Sequence, residues 1–451
     1  MKKPYAWITS LAVALACNSA HAQLTYQLDS TLLAIDVVVD SDRVNIPWEI
    51  LWGPDDRLWM TDGPLITRWD PVTDVIDTLL DRGYGNGLGM ALHPDFPNTP
   101  IVIAVFDTTD YYGNGNSCEV SRFTYDAIND TLIDEQVLFT YYHGGEHAGG
   151  RVLFDTTGNV LLTTADYYFN GPDTLFSTNG KTLRFATDGS VPPDNPRADH
   201  TWTWGHRNPQ GLAMLPNGAI VNSEHGQLFQ GNEINLIQRD EDHGYPYYDG
   251  NACFIMPDTC TSSTYTFTHP LWTSTRPPSG IEFQSSNTIP EFEGKLLTCI
   301  LWQTGLVLFT FNAALDSITA EEYLSGGAFA DMVRNRDIAI RPDGTFYLIT
   351  NDRQSARIRW VHPDFSTEVA TPAEDESAIR IWPNPTSDRV TIAVEGDAHI
   401  ELLDALGHVV QAPLQRMGDR YLMDVSGTTT GIYAVRIAQH GKMTVRRLVK
   451  R

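Results

Sequence analysis

Short apolar runs alternate with polar positions along most of this chain, and Gly, Pro, Asn or Asp interrupts the runs every few residues. A period of two places successive side chains on opposite faces of a strand, and helical spacing is scarce. Runs rich in Val, Ile, Leu, Tyr, Trp and Thr between such turns predict an all-β chain: a sandwich, a barrel or a propeller. One unit recurs. Trp52-Gly53-Pro54-Asp55-Asp56-Arg57-Leu58-Trp59 reads as strand, tight turn, strand, and similar units surround Gly158, Asn217-Gly218 and Asp343-Gly344. Asn-Gly and Asp-Gly predict two-residue hairpin turns in which both central residues take positive φ. The second strand of each unit runs into an acid, Asp62, Asp166, Glu224 or Asp352. Repeated hairpins that bring a polar group to the same end predict propeller blades, with the functional site at the central mouth.

The two ends of the sequence read differently. Lys2 and Lys3 precede a mostly apolar stretch from Trp7 to Ala16, and Ala20-His21-Ala22 fits a signal-peptidase cut. Residues 1–22 are therefore expected to be a signal peptide. Its apolar stretch is too short to span a bilayer, and no other run is long or apolar enough for a transmembrane segment. Residues 366–377, rich in Thr, Glu, Ala, Pro and Asp, read as a linker from the large domain (23–365) to a small β-sandwich (378–451).

A formal charge of −25 excludes nucleic acid as a partner, since two polyanions repel. The same charge suits calcium use. Beyond the signal peptide the cysteines are Cys118, Cys253, Cys260 and Cys299. Export permits disulfides: Cys253 and Cys260 close a short loop and are the best pair, and Cys118 with Cys299 is a second possible pair.

Three segments carry candidate chemistry. In Glu146-His147-Ala148-Gly149-Gly150-Arg151 a His in a Gly-rich stretch can approach a ligand, and Asp166 at the next strand end could fix its tautomer, as a general base requires. Gly205-His206-Arg207-Asn208-Pro209-Gln210-Gly211 offers Arg207, Asn208 and Gln210 to a ligand with carboxylates and carbonyls. It leads into Ser223-Glu224-His225-Gly226-Gln227 and Asn232-Glu233-Ile234-Asn235, a Gly-containing loop able to turn backbone carbonyls onto a hard cation. In Arg334-Asn335-Arg336-Asp337 an extended strand would point both guanidinium groups the same way, toward an anion.

In combination with Gly87-Leu88-Gly89-Met90-Ala91-Leu92-His93-Pro94-Asp95-Phe96, these segments resemble the soluble quinoprotein glucose/sorbosone dehydrogenase family, which includes aldose sugar dehydrogenases, over roughly Ile46 to Pro363. The resemblance implies a six-bladed β-propeller that binds pyrroloquinoline quinone (PQQ) and calcium and oxidises an aldose-type sugar to its lactone. It implies His147 as general base, Asp166 as the carboxylate that orients it and Glu146 as its acidic neighbour. Arg207, Asn208, Gln210, Arg334 and Arg336 fall on or beside cofactor contacts. Gly226 and Gln227 fall where backbone carbonyls hold the cofactor's calcium, and Glu233 and His243 in a second, structural calcium site. The sequence departs from the family pattern where a Lys is replaced by Trp302 and where Tyr84-Gly85-Asn86 lacks a Gln. Gln227 stands where Pro is usual, and His243 where Tyr is.

The last segment resembles the type IX secretion sorting domain of Bacteroidetes-type bacteria, through Trp382-Pro383-Asn384-Pro385, Gly431-Ile432-Tyr433 and Gly441-Lys442 with its basic end. It implies an Ig-like β-sandwich, outer-membrane secretion machinery as a partner, and a secreted or cell-surface protein. The expected function is thus an exported sugar dehydrogenase. A catalytically altered propeller that only binds carbohydrate or protein is the second reading.

Overall fold

The computed structural model describes residues 24–108, 117–145, 147–166, 177–227, 230–255, 260, 265–330, 332, 334–352, 356–364, 380–394, 396–404, 408–418, 420–439 and 442–451. Residues 1–22, the proposed linker 366–377 and Glu146 lie outside that set. The chain divides into two compact units, residues 1–365 and 366–451. Among the described residues no helix is long and apolar enough to cross a membrane.

In the first unit, six sheets of four or five strands form the blades. Their innermost strands, in chain order, are Pro47–Trp52, Asn86–Leu92, Gly149–Phe154, Asn208–Met214, Pro278–Gln284 and Asn335–Ile340. Each of these strands contacts the next, and the sixth contacts the first, so the ring is closed. These strands begin blades 1 to 6. Blade 6 is completed from the other end of the unit: Leu32–Val39 pairs antiparallel with Arg357–Pro363, and Leu24–Gln27 adds an outer strand. The core is distributed between neighbouring blades, as where Val105, Val120 and Tyr141 of blade 2 pack with Leu162 and Phe185 of blade 3.

The hairpins that join first and second strands differ from the two-residue turns expected. In Asp155–Gly158, Leu215–Gly218 and Arg341–Gly344 the fourth residue's N–H donates to the first residue's carbonyl, and the Gly alone takes positive φ, 81–83°. Asp56 takes that place in blade 1, with φ 57°. These are hairpin loops with a single left-handed residue, which explains a lone Gly at a fixed position.

A second regularity is register. In all six blades the pairing of first with second strand shifts near the start of the first strand, between Pro47 and Ile50, Gly87 and Met90, Gly149 and Val152, Pro209 and Gly211, Pro278 and Ile281, and Asn335 and Asp337. Such bulges bend a strand and re-aim its side chains. Here they re-aim Trp48, Arg151, Gln210, Ser279 and Arg336 into mutual contact.

The second unit packs two four-stranded antiparallel sheets. One holds Arg380–Trp382, Arg389–Ala393, Arg420–Asp424 and Leu414–Arg416; the other holds Val409–Val410, His399–Leu403, Gly431–Gln439 and Lys442–Lys450. Val390, Ile392, Leu402, Val435 and Leu448 are buried between them, so the basic end is an edge strand of a sandwich.

Cys253 and Cys260 form a disulfide. Cys118 and Cys299 do not pair: each is a free, buried thiol, one in the core between blades 2 and 3, the other in that of blades 5 and 6.

Candidate functional site

The mouth is the end of the ring where second strands finish. Asp62 closes its strand, Glu224 lies in Ile220–His225, and Asp166 and Asp352 lie two residues past Val160–Thr164 and Phe346–Thr350. Gly149 pairs with Thr164, and two residues outward on each chain the register brings His147 opposite Asp166. Nδ1 of His147 lies 2.9 Å from Oδ1 of Asp166; the imidazole is 26 % exposed and the carboxylate 6 %. A carboxylate only accepts, so in the neutral ring Nδ1 is the nitrogen that carries the proton and Nε2 the one that can accept another. Asp166 is held in turn: its N–H donates to the Arg207 carbonyl at 2.7 Å, and Tyr245 Oη donates to Oδ2 at 3.4 Å.

Blade 4 brings the second segment to the same end. Glu224 accepts from His206 Nδ1 at 2.8 Å and from the Arg207 backbone N–H. Burial pushes the Glu224 carboxyl up to about 8, and Asp249 and Asp166 add to it while Arg207 opposes. The Arg207 guanidinium donates through Nη1 to the His225 and Gly226 carbonyls at 3.1 and 2.8 Å, and through Nη2 to Gln227 Oε1 at 2.6 Å. Burial holds His225 neutral, down to about 3, with Arg336, Arg207 and His147 all near enough to oppose its protonation.

Gln210 links two of the expected contacts. Its Nε2 donates to Asn208 Oδ1 at 2.9 Å, and its Oε1 accepts from Arg336 Nη1 at 2.7 Å. Arg336 also reaches Ser279 Oγ at 3.2 Å, and both Arg336 and Arg151 lie over the Trp48 ring. Burial lowers the Arg336 guanidinium to about 9, and Arg334 and Arg151 repel its charge. The strand-alternation argument for Arg334 and Arg336 does not hold, because Arg334 sits before the strand at φ 58° and the bulge interrupts the alternation. The two charges are nevertheless neighbours. Arg334 lines a cavity of about 480 Å³ with Trp48, Asn86, Leu88, Asn351 and Asp352. A larger cavity, about 680 Å³, follows the six innermost strands below Arg151 and is lined by none of His147, Arg207, Arg334 and Arg336.

These residues fit an anionic, carbonyl-bearing group. Among the described residues, Nε of Arg207 and Nε of Arg336 are buried without an acceptor, and unpaired buried donors are costly. A hard cation is served less evenly. The Gly226 carbonyl already accepts from Arg207, although a carbonyl has a second lone pair. Glu233 lies directly across from Glu224, and its oxygens accept from Gly250 N–H and Asn235 Nδ2. Burial, Glu224 and Asp249 all raise the Glu233 carboxyl. His243 stacks on His206 at 4.5 Å, and burial holds it neutral. Among the described residues no three-ligand group forms around Glu233 or His243.

Residues 44–359 match the family model described as Glucose / Sorbosone dehydrogenase. The chain belongs to this family. Residues 380–451 match the secretion system C-terminal sorting domain. Quinoprotein glucose dehydrogenase B of Acinetobacter calcoaceticus is 31 % identical over 258 residues, covering 48 % of this chain and 53 % of that protein. Aldose sugar dehydrogenase YliI of Escherichia coli is 28 % identical over 362 residues, covering 73 % of this chain and 93 % of that protein. Among solved structures, PQQ-bound aldose sugar dehydrogenase from Streptomyces coelicolor shares the fold at a TM-score of 0.62 with 23 % identity, over 73 % of this chain and 98 % of that one.

Several residues of the site in this family member were not singled out from sequence. Trp48, Tyr245, Asp249 and Ser279 come from distant segments, and only the blade order brings them in. Trp302, at the expected Lys position, is 80 % exposed. Tyr84 is exposed as well, stacked with Arg82 and bonded to Glu119.

Proposed function

We propose that this chain is an exported PQQ- and calcium-dependent sugar dehydrogenase that oxidises an aldose-type sugar to its lactone. The observation that carries the reading is the His147–Asp166 pair at a mouth shared with Arg207, Arg334 and Arg336. When bound, PQQ supplies a two-electron acceptor for hydride. Arg207, Asn208, Arg334 and Arg336 would hold its carboxylates, with Gln210 bracing Asn208 and Arg336. Nε2 of His147 would take the proton of the sugar's anomeric hydroxyl, and Asp166 would stabilise the imidazolium that results. Glu146 is assigned as the acidic neighbour of this base. Gly226 and Gln227 are assigned to the cofactor's calcium. Glu233 and His243 are assigned to a second calcium, where the nearby carboxylates of Glu224 and Asp249 support a hard cation better than the imidazole does. The sorting-domain match supports export and a secreted or cell-surface location.

The test is a titration of PQQ into the calcium-loaded protein, followed by dye reduction with a panel of aldoses. Saturation near one equivalent and turnover with at least one sugar are expected. His147→Ala should lower turnover by roughly 10²–10⁴-fold, the usual contribution of a general base, with PQQ affinity unchanged. A second reading rests on Trp302, exposed where the family pattern has a Lys. If PQQ does not bind while a glycan does, and glycan binding survives His147→Ala, the propeller is a binding module.

A further inference from the structure

Blade 2 holds a group of chemistry-bearing side chains that the proposed reaction does not use. Asp107 ends the strand Ile101–Asp107, and its register partner on Ser117–Asp126 is Cys118. Cys118 in turn pairs with Tyr141 of the outermost strand, Thr131–Tyr142, and His143 follows directly. One ligand atom from each of Asp107, Cys118 and His143 lies within 4.8 Å of the other two. His143 Nε2 is 3.2 Å from Asp107 Oδ1. Cys118 and His143 are fully buried, and the Asp107 side chain keeps 21 % of its surface accessible.

We infer that Asp107, Cys118 and His143 form a binding site for zinc or a similar borderline divalent cation, with these three as its ligands among the described residues. Thiolate, imidazole and carboxylate together select such an ion, whereas calcium takes oxygen ligands. The ligands come from adjacent strand ends of one sheet, so their mutual spacing is set by the backbone. In the metal-free protein, burial and the Asp107 charge keep the Cys118 thiol protonated. A dication reverses that balance: the sulfur–metal bond forms as the thiol proton leaves for solvent, one proton per ion. His143 Nδ1 accepts the Gly145 N–H at 3.2 Å, which leaves the ring proton on Nε2. Coordination through Nε2 moves that proton to Nδ1 and gives up the Gly145 bond. The ion would then fasten the segment leading to His147 at one end, while Tyr141 Oη holds the Ala148 carbonyl at 3.0 Å at the other.

The site stands on its own geometry and not on the quinoprotein reading. The experiment is a titration of the chelator-treated full chain with Co²⁺, a spectroscopic stand-in for zinc. Expected are saturation at one equivalent, a thiolate-to-cobalt charge-transfer band in the near ultraviolet, release of one proton per ion and loss of the band on adding Zn²⁺. Cys299→Ser should keep the band, Cys118→Ser should abolish it, and His143→Ala should weaken binding at least tenfold. Absence of the band in folded wild-type protein overturns the inference, as does a band that survives Cys118→Ser. The wild-type spectrum decides even where a variant does not fold, and a failed PQQ titration leaves this result untouched.

Discussion

Arg336 lies beneath the mouth with its guanidinium over Trp48 and with the charges of Arg334 and Arg151 nearby. An anion would relieve that repulsion and give its Nε an acceptor. Arg336→Ala should therefore weaken PQQ binding at least tenfold, since a hydrogen bond to a charged group contributes roughly 1.5–3 kcal/mol. Arg336→Lys should recover only part, because an ammonium lacks the planar fork; calorimetry reads both, and an unchanged affinity in the alanine variant would remove Arg336 from the cofactor contacts. Buried acids set a pH dependence. Glu224 and Glu282 are raised to about 8 from 4.5 by burial, and Glu49 and Glu233 are raised as well. These acids keep protons that the unfolded chain releases, whereas His206, His225 and His243, held neutral by burial, act in the opposite sense below their ordinary value of 6.5; stability therefore falls as pH rises from there through about 8. The cofactor-free, calcium-free protein should melt a few degrees higher near pH 6.5 than near pH 8. Glu282→Gln, remote from the mouth, should flatten part of the difference in a calorimetric scan. At this scale the sequence reading reached His147 and Asp166 because both sit at strand ends in one hairpin. It missed Trp48 and Ser279, which no local pattern marks.

The six bulges are the structural reason that side-chain alternation misleads at the mouth. A bulge is a mismatch between two strands, so one strand's sequence cannot show it. The arginines of Arg334-Asn335-Arg336 become neighbours through a left-handed turn and a register shift, whereas the hairpins of blades 1, 3, 4 and 6 were legible because each of those four loops needs a Gly, or Asp56, at its single left-handed position. The innermost strands also need small residues where they converge. A Cβ on Gly89 would stand 2.2 Å from the Gly150 carbonyl oxygen and 2.9 Å from the Val152 nitrogen, both backbone atoms of blade 3. Gly89→Ala should thus cost about 1–3 kcal/mol or more, as forced overpacking does. Turnover should fall as well, since the displaced strand start lies two residues from His147; denaturant unfolding and dye reduction check the two effects. Stability unchanged within about 0.5 kcal/mol would mean that the blades separate easily, against this account of their packing.

Each of the two units has its own apolar core, one spread between six blades and one between two sheets. Two calorimetric transitions are expected, and truncation after residue 365 should remove one and leave the other within a few degrees. A single transition that shifts on truncation would show that the units depend on each other. The all-β class was legible from alternation and turn spacing, but ring closure was not, because it is a pairing between remote strands. Asp36 and His362 bond across the sixth blade at a sequence separation of 326 residues, and Leu32–Val39 takes its place in the ring by pairing with Arg357–Pro363. The clasp imposes an order in time. A chain emerging N-terminus first carries its closing strand from the start but must wait for nearly the whole propeller before that strand finds its partner. Contacts of such long range form late and leave strand edges exposed meanwhile. The closed ring, and with it the mouth that holds the paired His147 and Asp166, therefore exists only after Arg357–Pro363 has joined Leu32–Val39.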